Sequence, residues 1–209
     1  MGVLVMAGSK GGTGKSLITM VLSAFLAKRE ADFAMVDADP TRAAHDWATS
    51  TYEGKPFPSH VAKDENRLAH LIHDLAQKHS VVLVDTPGFE NQSSTVAMTG
   101  AYFILVPSKS SAADIREARA TQDKIESLSV ASRRQIPSRV ILTSMRTTLV
   151  ARHAADQIKE LGLEPLAAQL GHRAEYEALT HTGRVPMTGP AYREITAMMQ
   201  ELSALGWLP

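Results

Sequence analysis

A short apolar run, Val3-Leu4-Val5-Met6-Ala7, leads into a glycine-rich loop and then into a stripe of Leu17, Ile18, Val21, Leu22, Phe25 and Leu26 at helical spacing. This order, buried strand then glycine loop then helix, leaves few folds open. Gly8, Gly14, Lys15 and Ser16 satisfy the G-x-x-x-x-G-K-[ST] spacing of a phosphate-binding loop. The backbone N–H groups of Gly11, Gly12, Thr13 and Gly14 can converge on phosphate oxygens, helped by the free N–H groups at the helix start. Lys15 is placed to neutralise β- and γ-phosphates, and Ser16 to bind Mg²⁺. Lys28 and Arg29 close the helix, where cations suit its dipole. Lys10 is not required by such a cradle and suggests a further job.

The remaining chain repeats the alternation. Phe33-Ala34-Met35-Val36 ends in Asp37, Val81-Val82-Leu83-Val84 in Asp85, Tyr102 to Val106 in Pro107, and Val140-Ile141-Leu142 in Thr143. Leu166 to Leu170 is a weaker strand candidate. Asp64 to His79 is helical, with Leu68, Leu71, Ile72, Leu75 and Ala76 on one face. Asp114 to Leu128, Leu149 to Leu161 and Ala191 to Leu205 also read as helices. Residues 51–63, with Gly54, Pro56 and Pro58, read as an irregular connection. Apolar strands with little polar alternation, flanked by helices, predict a single-domain α/β fold over residues 1–209: a mostly parallel, doubly wound sheet covered on both faces. Ligands of such sheets bind at the carboxyl ends of the strands, where Asp37, Asp85, Pro107 and Thr143 fall.

Composition narrows the chemistry. Lys+Arg and Asp+Glu are both 22, so any nucleic-acid or membrane affinity must come from local patches. The absence of cysteine removes disulfides, thiolate catalysis, Fe–S clusters and Cys-type zinc sites. No basic leader precedes the first strand and no apolar run nears the roughly 20 residues of a membrane span, so a cytoplasmic protein is expected.

Two acidic motifs join the loop. Asp85, before Thr86-Pro87-Gly88, can hold Mg²⁺ opposite Ser16, and Gly88 allows backbone approach to a γ-phosphate. In Asp37-Ala38-Asp39-Pro40 one carboxylate can serve the metal or Lys10 and the other can orient a water molecule. The same motif also reads as a helix start, with Asp39 or Thr41 as N-cap. His70 and His73, with Asp74 nearby, have metal-compatible spacing but read as a wet helix face.

On Lys10-Gly11-Gly12-Thr13-Gly14-Lys15-Ser16, Asp37-Ala38-Asp39-Pro40 and Val84-Asp85-Thr86-Pro87-Gly88, the chain resembles the ParA/MinD-type, deviant Walker A P-loop ATPases. Val106-Pro107-Ser108 through Asp114 matches the strand and loop that follow. Arg173 to Ala178 and Gly183 to Pro186 match the C-terminal part more weakly. The resemblance implies a homodimer formed around ATP and Mg²⁺, with Lys10 reaching the partner's phosphates, Asp39 positioning the attacking water, and Asp37 and Asp85 supporting the metal. Hydrolysis would then release the dimer. Two departures stand out: Thr41 where the family often has Gln, and Thr143-Ser144-Met145-Arg146 where it often has an adenine-facing Asn. Arg146 is either a base-stacking residue or a solvated loop arginine. No Asn-Lys-x-Asp motif is present, so the resemblance implies ATP over GTP.

Among family members the chain is most similar to the small partition ATPases without an N-terminal helix-turn-helix domain, which work with a ParB-like, DNA-bound adaptor. Non-specific DNA binding would use basic residues among Arg116, Arg119, Lys124, Arg133, Arg134, Arg139, Arg152 and Lys159, placing the ATP form on the nucleoid. A Min-type membrane helix is not expected: Ile195, Met198, Met199 and Leu202 read as core, leaving only a weak membrane contact open to Trp207-Leu208. The alternatives are a positioning ATPase for non-DNA cargo and a P-loop metabolite kinase or synthetase.

Overall fold

The computed structural model describes residues 2–62, 64–88, 91–146 and 149–209; the side chains of residues 149–152 lie outside that description. Seven strands form one all-parallel sheet: β1 (Gly2–Met6), β2 (Phe33–Asp37), β3 (Ser59–Val61), β4 (Val81–Asp85), β5 (Phe103–Ser108), β6 (Ser138–Met145) and β7 (Pro165–Gly171). Their spatial order is β3-β2-β4-β1-β5-β6-β7, so β1 is central and the chain leaves it in both directions. The crevice at its carboxyl end is where such a sheet takes a ligand.

Both faces of the strands are apolar because both are covered. Leu4, Met6, Met35, Leu83 and Leu105 pack beneath α1 (Lys15–Lys28), α2 (Ala43–Asp46), α7 (Ala174–Thr182) and α8 (Gly189–Ala204). Val3, Val5, Val36, Val82, Val84 and Val106 pack beneath α3 (Glu65–Lys78), α4 (Gln92–Gly100), α5 (Ala112–Ala131) and α6 (Leu149–Glu160). The α3 stripe behaves as its spacing predicts: Leu68, Ile72 and Leu75 are buried, and the Asp64 carboxylate caps the helix by accepting from Arg67 N–H.

Several expectations need correction. The stretch 51–63 is not wholly irregular, since Ser59–Val61 pairs with Met35–Asp37 as an edge strand. Three half-buried residues behind Pro58 leave no apolar run to detect. Helices α4 and α7, only nine residues each, are further elements beyond those expected, whereas α2 follows the Asp37-Ala38-Asp39-Pro40 motif. Tyr102 is exposed ahead of β5.

The C-terminal region closes the sheet. Ile195, Met198, Met199 and Leu202 are fully buried, as the core reading of this stripe requires. Glu201 accepts from the N–H groups of Ala167 and Ala168, and Glu194 from that of Gly171. These carboxylates occupy donors of edge strand β7 that would otherwise invite another strand. Trp207 and Leu208 are buried as well, with Trp207 stacked on Phe103 at 4.9 Å between ring centroids, so the terminal aromatic is not a membrane contact. No described helix is long and apolar enough to cross a membrane.

Candidate nucleotide and metal site

The loop between β1 and α1 is anchored on three sides. Thr86 Oγ1 donates to the Met6 carbonyl at 2.8 Å, joining β4 to the end of β1. Ser9 Oγ donates to Glu117 on α5 at 2.6 Å. The Thr143 hydroxyl, buried at the end of β6, donates to the Thr13 carbonyl at 2.7 Å. Thr143 therefore supports the loop backbone from below.

Gly14 is the N-cap of α1 with φ 105°, a conformation that glycine adopts without a steric cost. It offers no side-chain cap, so the first-turn N–H groups of α1 remain open to an anion. Gly12 also has positive φ, at 71°. Gly88 comes closer to the loop than any side chain would allow: a Cβ there would lie 2.6 Å from the Gly11 Cα.

The two loop lysines differ. Lys15 is buried, and its Nζ donates to the Lys10 carbonyl at 2.9 Å. Burial pulls the Lys15 pKa down, while Asp85 and Asp39 act to hold its charge. Lys10 is exposed but not free, for its Nζ pairs with buried Asp114 at 2.6 Å. Asp114 also receives the Ser111 hydroxyl; burial pushes its carboxyl up, yet the Lys10 and Ser111 bonds prevail and hold it below the ordinary range.

The carboxylates also divide. Asp37 is fully buried and accepts from Asp39 N–H and His45 N–H, both at 2.9 Å, fastening the start of α2. Neither Asp39 nor Thr41 is the N-cap expected of this motif: Arg42 takes that position without a side-chain cap bond, and Asp37 holds the first turn instead, although burial raises its pKa. Asp39 is half-buried, and its Oδ1 accepts from both the N–H and hydroxyl of Thr41, each at 2.8 Å. Asp85 is the exception. Its two carboxylate oxygens are buried with no partner of hydrogen-bonding geometry among the described residues. Burial pushes it up to about 7, while the Ser16 hydroxyl acts to favour the anion.

That orphaned carboxylate is the test for a metal. Two buried oxygens beside a serine hydroxyl and a lysine suit a hard, oxygen-seeking cation such as Mg²⁺ accompanying phosphates. Asp85 and Ser16 fit the group; Asp37, already engaged by backbone donors, fits as outer support. Among the described residues no separate cluster of three His, Cys, Asp or Glu offers a metal cage, and His70 and His73 are exposed.

Beside the loop, a cleft of about 300 Å³ is lined by Gly12, Gly14, Leu17, Ser144, Arg173 and Tyr176, among others. Arg146 is exposed at the end of β6 and is not part of this lining. The β7–α7 turn supplies this wall instead, which the weak C-terminal sequence similarity hinted at without naming a role. A larger cavity of about 580 Å³ opens at the far end of α1, near Phe25 and Lys28. At 1.5 Å per helical residue it is roughly 20 Å from Lys15, too remote to share the loop's chemistry.

With this geometry in place the chain can be compared with known proteins. A family model described as VirC1 protein matches residues 1–202. The chain belongs to the VirC1 family. This VirC1-family chain is 29% identical to protein ParA of Rhizobium radiobacter over 187 residues, covering 88% of the chain and 84% of that relative. Its fold superposes on the ATP complex of a McdA variant from Cyanothece with TM-score 0.80 at 16% identity, covering 99% and 96% of the two chains. It likewise matches the MinD cell division protein of Aquifex aeolicus with TM-score 0.79 at 20% identity, covering 98% and 97%. The expected ParA/MinD-type P-loop relationship and its parallel, doubly covered sheet are thereby established.

Proposed function

We propose that this VirC1-family chain is an Mg²⁺-dependent ATPase whose ATP form is a homodimer and which serves DNA partition. The observation that carries this reading is the pair of loop lysines, one buried among the phosphate-binding groups and one held aside. Lys15 and the N-terminus of α1 suffice to bind a polyphosphate. Lys10 is bound to Asp114 in its own chain, and association would exchange this carboxylate for a partner's phosphate. Asp39, fixed by Thr41, would orient the attacking water. Mg²⁺ would be held by Ser16 and Asp85 and would neutralise phosphate charge.

The partition role draws support from the ParA relative. It implies a ParB-like adaptor that stimulates hydrolysis, and non-specific DNA binding by the dimer. Among the basic residues proposed for DNA, Arg119 is paired with Asp123 and Glu126, and Arg139 with Glu164. Arg116, Arg133 and Lys159 are exposed, and the side chain of Arg152 lies outside the described residues. A dimer would double such a sparse set, linking DNA affinity to ATP and making it steeply salt-dependent.

A second reading has one observation in its favour. A hollow of about 440 Å³ beside the Asp37-to-Pro40 turn, lined by Asp39, Arg42, Asp64 and Glu65 among others, could admit the substrate of a metabolite kinase. The two readings part on Lys10. Light scattering after size exclusion should show an ATP-dependent dimer for the wild type and a monomer for Lys10→Ala. Lys10 is half-exposed but Asp114 is buried, so the variant leaves that carboxylate with its Ser111 donor alone among the described contacts and should lose about 1 to 3 kcal/mol. An ATP dimer that persists in Lys10→Ala would reject the shared-nucleotide model.

A further inference from the structure

Arg173 is fixed more firmly than a surface arginine. Its Nε donates to Glu194 Oε1 at 2.8 Å, and its terminal nitrogen donates to the same oxygen. The other oxygen of Glu194 accepts from Gly171 N–H and from the Tyr176 hydroxyl, each at 2.9 Å. One carboxylate from α8 thus gathers three residues that all line the cleft beside the phosphate loop. Burial pushes the Glu194 carboxyl up, but its Arg173, Gly171 and Tyr176 partners outweigh this and keep it ionised.

The arrangement restricts rotation of a planar guanidinium at the wall of the cleft. Leu17 and Leu170 supply apolar lining, and Gly12 and Gly14 form the edge nearest the phosphates. A flat heteroaromatic ring extending from a polyphosphate on the loop meets there the surfaces it needs: apolar contact and a delocalised cation suited to stacking. Arg146 lacks this placement.

We propose that Arg173 is the residue that stacks on the nucleotide base, and that Glu194 is a positioning residue holding its plane. This rests on the nucleotide-binding reading above. Calorimetric titration of the full chain with Mg-ATP and with magnesium tripolyphosphate, which has phosphates and no base, separates the two. Arg173→Ala should weaken ATP binding about tenfold and leave tripolyphosphate within about twofold. Arg173→Lys, which keeps the charge and loses the plane, should behave like Arg173→Ala. Glu194→Gln should weaken ATP by about threefold, again sparing tripolyphosphate. A merely structural role for either residue would lower both affinities together. Equal losses for the two ligands, or no loss for ATP, overturn the proposal. A wild-type chain that binds neither probe overturns the nucleotide reading itself.

Discussion

Asp37 and Asp85 stand in register at the carboxyl ends of β2 and β4, yet the backbone satisfies only Asp37. Adjacent strands bring two carboxylates to one crevice. The turn after β2 then bends its N–H groups back onto the first, while the second remains bare. A charge left in that state destabilises the empty chain, and a cation delivered with a nucleotide would relieve it.

The cost can be measured through pH. The Asp85 pKa, raised to about 7 by burial, lies above the roughly 4 of an unfolded aspartate. The folded chain therefore binds more protons than the unfolded chain between those values, and its stability falls as pH rises from about 4 to about 7. Asp85→Asn should remove this loss, making the nucleotide-free chain on the order of 2 to 4 kcal/mol more stable at pH 8 and little changed at pH 4. Urea denaturation at the two pH values reads the difference. A variant with no gain at pH 8 would mean the Asp85 charge is already compensated.

Gly88 against Gly11 gives a steric prediction. Gly88→Ala puts a methyl 2.6 Å from the Gly11 Cα and 2.9 Å from its nitrogen, both backbone atoms that cannot swing away. The loop or the backbone at Gly88 must move. Overpacking of this kind costs about 1 to 3 kcal/mol, and the displaced loop should bind tripolyphosphate at least about tenfold more weakly. Unchanged affinity and melting temperature would show that the backbone at Gly88 accommodates the methyl.

Thr143 should matter for a reason separate from the base. Thr143→Val keeps the shape and removes the bond to the Thr13 carbonyl, leaving a buried acceptor short of its donor. A loss of about 1 to 3 kcal/mol is expected in chemical denaturation. ATP and tripolyphosphate should weaken together, unlike the split expected for Arg173→Ala.

Asp39 is half-buried and accessible enough to act on water, and its carboxylate accepts from Thr41. Asp39→Ala should slow single-turnover ATP hydrolysis by about 100-fold, the scale of a lost catalytic base. ATP affinity should change little, and the ATP dimer should persist. Turnover at the parent rate would remove Asp39 from the chemistry.

Strands β1, β2, β4 and β5 read well from sequence because they are runs of buried residues covered on both sides; Val81 to Asp85 shows this, with all five residues buried. Edge strand β3 carried no such signal, being three residues of partial burial beside a proline. The candidate phosphate loop was legible for a different reason: its positive-φ glycines and the helix start behind them are set by local backbone geometry, which adjacent residues encode.

What adjacent residues cannot encode is partnership across the sheet. Lys10 meets Asp114 over 104 positions, and the Thr143 hydroxyl meets the Thr13 carbonyl over 130. Glu194 meets Arg173 only because α8 returns along the edge of β7. The sequence by itself determined that a glycine loop follows the first buried strand and opens a helix, since adjacent residues encode that order. The tertiary structure decided which carboxylate is left without a bonding partner among the described residues, which lysine is buried and which pairs with Asp114, and which arginine borders the cleft. Those properties depend on burial and on partners that only the closed sheet brings together.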